Sequence, residues 1–293
     1  MTLYGPDLSN NNWSSFAEIA GWLDDCFHRE GYSWMEHKVS EGNYYRDPYW
    51  PTVRDWCNAN DVPVIGYHYV TTNDPAQQAA KFVANGGGAY VMLDFEANSG
   101  GIGNFWAVVH AFNAVGVNVA LSYIPHWYWQ QIGWPNLAGV PGLISSSYYE
   151  RGTYGSVEYD HAGGDTGPGW DAYGGAAPVI WQFSDGAIID GKSVDANAFR
   201  GTVDELRTLL GYAPAQPDPA PPTGGTTVEH NPPAVPKPPD EDGQVAEVWD
   251  QELIRWDFNG GRTNAEMLGA LGAHFGIPGC VDVLATNTEG TDQ

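Results

Sequence analysis

Two hydrophobic rhythms alternate along the first two thirds of the chain. Residues 3–9 form a short apolar stretch ending near an acid. Ser15-Phe16-Ala17-Glu18 then has the spacing of a capping box, and Phe16, Ile19, Ala20, Leu23 and Phe27 follow at helical period. A strand is predicted over 32–40, a short helix over 51–60 and a further strand over 62–70. Asp74-Pro75-Ala76-Gln77 supplies an N-cap, a first-position proline and an N3 glutamine for a helix running to about Ala84, which Asn85-Gly86-Gly87-Gly88 ends. The run Tyr90-Val91-Met92-Leu93 has the length and character of a buried strand and passes abruptly into Asp94-Phe95-Glu96. A helix over 105–115 and a strand over 117–123 continue the pattern. Strand and helix in alternation imply parallel strands joined by crossovers, an α/β fold whose ligand chemistry gathers at the carboxyl ends of the strands.

Beyond Gly142 the rhythm loosens. Residues 143–149 suit a strand, whereas 151–175, rich in Gly, Asp and Tyr, are expected to form an extended loop with little regular structure. Residues 178–183 are a strand. Ser184-Asp185-Gly186 and Asp190-Gly191 are turn signals that place a hairpin within 181–195, and a helix over 198–210 is expected to close the domain. Residues 213–240 hold ten of the 21 prolines and are expected to be an extended linker. The chain thus divides into 1–212, the linker 213–240, and 241–293. In that last region Val245, Val248, Trp249 and Trp256, then Leu268, Leu271 and Phe275, suggest a small helical hairpin for docking or self-association.

Thirty-six acids against 12 bases, a formal charge of −24, argue against nucleic acid or an anionic membrane surface as partner. No apolar run is long enough to span a bilayer, and the first residues carry neither a basic start nor a hydrophobic signal core, so synthesis in a cytoplasm is expected. Cys26, Cys57 and Cys280 form no Cys-x-x-Cys pair and read as free thiols, a Cys26–Cys57 bridge being the lesser alternative. The histidines show no ligand spacing, so neither metal nor cofactor is expected; His68 is read as structural. Thirteen Trp and 16 Tyr exceed ordinary core needs and hint at a sugar-binding cleft.

Side chains alternate along a strand, so Asp94 and Glu96 share a face about 7 Å apart while Phe95 points into packing. Alone, such a pair is most simply a solvated strand end. If the strands close a barrel, however, Asp7, Glu41, Asp94, Glu96 and Asp195 converge, with Tyr67, Tyr69, Tyr123, Tyr148, Trp181 and Gln182 at neighbouring strand ends. Paired carboxyls with aromatic walls suit glycoside hydrolysis, in which one carboxyl must hold a proton for the leaving oxygen and another must stay ionised.

Gly5-Pro6-Asp7-Leu8-Ser9, Lys38-Val39-Ser40-Glu41-Gly42 with Tyr44 and Asp47, Gly66-Tyr67-His68-Tyr69, Leu93-Asp94-Phe95-Glu96, Trp181-Gln182 and Val194-Asp195-Ala196-Asn197 together resemble glycoside hydrolase family 25, the muramidases common among phage endolysins. The resemblance spans about residues 3–210. It implies an irregular TIM-like (β/α) barrel that cuts the β-1,4 bond between N-acetylmuramic acid and N-acetylglucosamine of peptidoglycan, in the setting of host lysis, with the enzyme reaching the wall through a separate pore. It assigns Glu96 as general acid and Asp94 as the group stabilising the intermediate, flanked by Asp7 and Asp195. From their places at the strand ends, Tyr67, Tyr123, Tyr148, Trp181 and Gln182 are read as sugar contacts, with plain packing the alternative for Tyr67, Tyr123 and Trp181, and Glu41 is read as either a sugar ligand or a positioning group. Attack by the substrate's acetamido group and attack by a carboxylate both remain open. Asn11 and Asn12, and Ser146-Ser147-Tyr148, depart from the family pattern in places that concern sugar contacts and not the acid pair.

The competing readings are a non-catalytic glycan-binding virion protein on the same barrel, which would not need all four acids, and a barrel glycosidase for another polysaccharide. Wall-amidase chemistry is disfavoured by the lack of a zinc-ligand set or a Cys-His pattern.

Overall fold

The computed structural model describes residues 1–213. The expected linker and C-terminal helices, 213–240 and 241–293, fall outside the described residues apart from Ala213. Strand β1 (Thr2–Leu8) leads through two short 3-10 turns into α1 (Ile19–Asp24), which widens into a π-turn over Asp25–Arg29. There follow β2 (Met35–Glu41), the two-residue β3 (Tyr45–Arg46), α2 (Trp50–Ala59), β4 (Val64–Tyr69), α3 (Pro75–Ala84), β5 (Tyr90–Asp94), α4 (Ile102–Ala114) and β6 (Asn118–Tyr123). The domain is completed by α5 (His126–Gln131), β7 (Leu143–Ser146), α6 (Gly155–His161), β8 (Ile180–Ile189), β9 (Lys192–Arg200) and α7 (Val203–Leu209).

The sheet runs β1-β9-β8-β7-β6-β5-β4-β2, and β1 also pairs with β2, so eight strands close a barrel while β3 hangs from β2. Seven of these strands run parallel; β9 is antiparallel to both neighbours. This is the expected α/β, irregular TIM-like barrel. The irregularity is the β8–β9 hairpin, which replaces a helical crossover. Its turn is Asp190-Gly191, both at positive φ (41° and 73°), the geometry a two-residue hairpin needs to match strand twist. The other turn signal, Ser184-Asp185-Gly186, lies inside β8, where the ladder to β9 shifts register.

Period-two alternation sorts the barrel. Inward positions such as Leu3, Trp34, Ile65, Met92, Leu121, Ile144, Ile180 and Phe199 fill its interior, and outward ones pack beneath the helices. The interior becomes polar toward the strands' carboxyl ends, where Asp7, Lys38, Tyr69, Asp94, Tyr123, Gln182 and Asp195 stand. Asp74 caps α3 as expected, its carboxylate accepting from Gln77 N–H at 2.9 Å.

Two expectations are corrected, and one element is new. Residues 151–175 are not an unstructured loop: they contain α6 and two 3-10 turns, Gly164–Thr166 and Pro168–Trp170. Tyr159 and Trp170 from this segment pack on Trp181, and a Cβ at Gly167 or Gly169 would meet the Trp181 ring at 2.6 or 2.1 Å. The glycines that resemble loop composition are there to let an indole approach the backbone. Helix α7 starts at Val203, not 198, because Ala198–Arg200 complete β9. Thr202 caps it, exchanging hydrogen bonds with Glu205. Helix α5, six residues rich in aromatics, is too short to show a period and is an addition to the expected elements.

Cys26 and Cys57 are buried free thiols. Among the described residues no helix is long and apolar enough to cross a membrane, and no group of His, Cys, Asp and Glu is arranged to hold a metal ion.

Candidate active site

A cavity of about 310 Å³ opens at the carboxyl ends of the strands, the face on which barrel chemistry gathers. Asp7, Asp94, Glu96 and Asp195 line it together with Lys38, Tyr67, Tyr69, Tyr123, Tyr148 and Gln182. It adjoins a smaller recess of about 190 Å³ bounded by Asp7, Ser9, Asn11 and Asn12.

Each acid is held by its strand. Asp7 is the register partner of Asp195 across the β1–β9 ladder and of Glu36 across β1–β2. The turn after β1 is anchored by Asp47, which is fully buried and accepts from Asn10 N–H at 2.8 Å and Tyr49 N–H at 2.9 Å. Asp94 closes β5 between Tyr69 of β4 and Tyr123 of β6. Phe95 points outward, packing its ring 5.3 Å from Phe105 and 5.6 Å from Tyr128, and this returns Glu96 to the cavity side. Glu96 N–H donates to Ser99 Oγ (3.1 Å), which itself donates to Val70 O (2.7 Å), while Tyr69 Oη donates to Ala97 O (2.7 Å). The turn carrying Glu96 is therefore tied to the end of β4, so the carboxyl sits on a fixed backbone.

On the opposite wall, Tyr148 Oη donates to Gln182 Oε1 at 2.5 Å and lies 3.2 Å from Tyr123 Oη; Gln182 Nε2 makes a long contact, 3.5 Å, with Asp7 Oδ2. Asp94 Oδ1 is buried and makes no hydrogen bond within the protein. The charged groups acting on it are Glu96, Asp195 and Glu41, and Lys38, which is engaged with Glu41, so this oxygen is an acceptor left for a donor entering the cavity.

Crowding and burial move the protons. Burial drives the Asp94 carboxyl well above its ordinary range, and Glu96 and Asp195 push the same way against the opposing charge of Lys38. Burial likewise raises Glu96, with Lys38 opposing. Asp7 is raised well above its usual value by burial and then by Glu36, Asp195 and Asp94. Asp195 is lifted to about 7 by burial, Asp185 and Glu96. Carboxyls so placed titrate as a set and cannot all be ionised at neutral pH.

The barrel brings Asp7, Asp94, Glu96, Asp195, Tyr67, Tyr123, Tyr148 and Gln182 to one cavity. Two expected contacts stand elsewhere. Trp181 is fully buried on the outer side of β8, its Nε1 donating to Ser147 O at 3.0 Å, because Gln182 beside it faces inward. Glu41, at the end of β2 opposite Tyr69, does not line the cavity and accepts from Lys38 Nζ and Tyr44 Oη, each at 2.6 Å. Burial raises its carboxyl, but these two partners outweigh burial and hold it below its usual value. His68 is buried outside the barrel between Ser40 Oγ (2.8 Å) and Gln78 Oε1 (3.1 Å), a structural histidine.

Sequence reasoning passed over Glu36 and gave no role to Lys38. Trp34, just before β2, and Glu36 and Lys38 within it are two apart and therefore share its inner face. A pair of opposite charges at that spacing within a strand was the available signal.

Residues 10–192 match the family model for glycosyl hydrolases family 25. A search of curated proteins finds no match. Among solved structures, the chain is similar to a bacterial lysozyme from Streptomyces coelicolor, with 20% identity, a TM-score of 0.56, and 71% of this chain and 96% of that one covered. A muramidase from Trichobolus zukalii has 21% identity and a TM-score of 0.55, with coverage of 71% and 98%. The catalytic domain of endolysin ply40, from bacteriophage P40 of Listeria monocytogenes, has 16% identity and a TM-score of 0.52, with coverage of 72% and 98%. At these identities the likeness is one of fold.

Proposed function

The chain belongs to glycosyl hydrolases family 25, and from that premise we propose that its barrel is an N-acetylmuramidase, a lysozyme cutting the β-1,4 bond between N-acetylmuramic acid and N-acetylglucosamine of peptidoglycan. The observation that carries this reading is the convergence of Asp94 and Glu96 with Asp7 and Asp195 on one cavity at the strands' carboxyl ends. The names of two similar structures, a lysozyme and a muramidase, favour the same substrate.

Glu96 is the general acid. Its carboxyl, raised by burial, protonates the glycosidic oxygen as the bond breaks. Asp94 accepts the N–H of the substrate's acetamido group on its unpartnered Oδ1. That hydrogen bond favours the Asp94 anion, so the proton shared by the pair resides on Glu96 once substrate is bound. The oriented acetamido oxygen attacks the anomeric carbon while the leaving oxygen departs with the Glu96 proton. The Glu96 carboxylate then takes a proton from the water that opens the resulting ring. Attack by the substrate's own group suits two carboxyls on one strand end, about 7 Å apart along it, better than it suits a pair facing each other across a sugar. Tyr67, Tyr123, Tyr148 and Gln182 serve as the sugar-contacting wall.

Mass spectrometry of digested peptidoglycan tests the reading. Fragments ending in reducing muramic acid are expected; reducing glucosamine, or cleavage of peptide bonds alone, would refute it. The setting we propose is phage-driven lysis, with synthesis in the host cytoplasm and access to the wall through a separate pore, which the likeness to an endolysin catalytic domain favours. Residues 241–293 are assigned to wall attachment or self-association. A chain ending at residue 212 should then lyse intact cells more weakly, and equal lysis and equal wall binding would remove that role.

A further inference from the structure

Beneath the four acids lies a fifth carboxyl, and it is built into the barrel. Glu36 is 1% exposed and is the β1–β2 register partner of Asp7, on a neighbouring strand about 4.8 Å away. Its Oε1 accepts from Trp34 Nε1 and its Oε2 from Asn197 Nδ2, both at 3.1 Å. The Trp34 indole can lie there because position 5 is glycine: a Cβ on Gly5 would come within 2.3 Å of the ring. Asn197 stands opposite Gly5 in the β1–β9 ladder, two residues from Asp195. Three strands thus cooperate to aim two N–H donors at one buried carboxylate. Lys38, two residues along β2, is engaged with Glu41.

We infer that Glu36 is a positioning residue that holds Asp7 in its protonated form, so that Asp7 presents an O–H donor to the cavity. The inference rests on Asp7 belonging to the proposed sugar site. Two adjacent carboxyls in a closed barrel do not both ionise, and the one with better donors keeps the charge. Glu36 has two donors at ordinary distance; Asp7 has the long Gln182 contact alone. The other polar groups facing this pair are Lys38 on β2, Asp195 on β9, Tyr67 on β4 and Asp94 on β5; the acids among them also favour a neutral Asp7, and Lys38 opposes. Burial lifts Glu36 itself to about 7, with the Trp34 hydrogen bond opposing, while Asp7 lies well above its usual range.

Carbon NMR of protein containing carboxyl-labelled aspartate, with the Asp7 signal assigned by its loss in Asp7→Asn, reads this directly. Glu36→Gln keeps the shape and can keep both contacts: its amide can donate to Asn197 Oδ1, which is buried without a partner, once that amide turns over. The Asp7 midpoint should fall by on the order of one pH unit in Glu36→Gln. The alkaline limb of the activity profile should move the same way. Trp34→Phe, which removes one donor from Glu36, should lower the midpoint by less, and it decides the matter should Glu36→Gln not fold. An Asp7 midpoint that stays or rises in the folded variant overturns the inference. A midpoint that falls in a protein releasing no reducing ends upholds the coupling and counts instead against the muramidase reading.

Discussion

Asp7 stands directly opposite Asp195 in the β1–β9 ladder, and both carboxyls enter the same cavity. Like charges opposed across a sheet repel. Asp7 and Asp195, with Asp94 and Glu36, hold their protons more tightly in the folded chain than in the unfolded one. Stability from these groups is therefore full below their unfolded values and declines as pH rises above about 4, through about 7 for Asp195 and Glu36, with Asp7 and Asp94 lowering it in the same direction. Glu18, drawn down to about 2 by the Ser14 backbone N–H and other donors, acts oppositely and loses its contribution only at more acid pH. Tm measured across pH should accordingly be higher near pH 5 than near pH 8, and a flat or rising profile would contradict the assignment.

Asp94→Asn should separate stability from catalysis. The change removes an acid that burial and neighbouring carboxyls force to hold its proton, in a cavity where an Asp94 oxygen has no protein partner. Tm is expected to rise by a few degrees, on the scale of ~1 kcal/mol. Release of reducing ends should fall at least ~100-fold. Calorimetry and a reducing-end assay on one preparation check both halves.

Glu96→Gln is expected to lower turnover by ~10³-fold or more while wall binding stays close to that of the parent chain. The amide preserves the side chain's shape and cannot release a proton, so the loss belongs in kcat rather than KM. Pull-down on purified walls alongside turnover is the measurement. A variant that retains even a tenth of the activity would exclude Glu96 as the acid.

Trp181→Ala tests the correction to the sugar-contact set. Trp181 is fully enclosed by Tyr159, Trp170 and Phe183, so truncation should cost ~3–5 kcal/mol of stability. The surviving folded fraction should keep its KM for wall fragments. Gln182→Ala, on the inner face next door, should do the reverse, leaving Tm nearly unchanged and raising KM. Denaturant melts and steady-state kinetics distinguish the two patterns.

The order of the main strands and helices as far as β6, the Asp94/Glu96 pair and the Asp190-Gly191 hairpin turn were legible in the sequence. Each is a local property: hydrophobic period, capping residues, a backbone that needs positive φ. Alternation even places Asp94 and Glu96 on one face without further help, and the same rule, applied to Trp181 and Gln182, requires that only one of the two face the cavity. What local patterns do not carry is closure. That β9 runs antiparallel between β1 and β8, so that Asp195 meets Asp7, depends on pairing between strands nearly the whole domain apart in the chain. The helical segment within 151–175 is stabilised by Trp181 from the neighbouring strand and not by its own period, so glycine-rich composition conceals it. Glu36 and Lys38 became part of the site for the same reason. A charged strand residue is surface decoration until the sheet closes around it, and only the closed barrel makes the inner face of β2 a place where a carboxyl, cut off from water, must settle its proton with its neighbours.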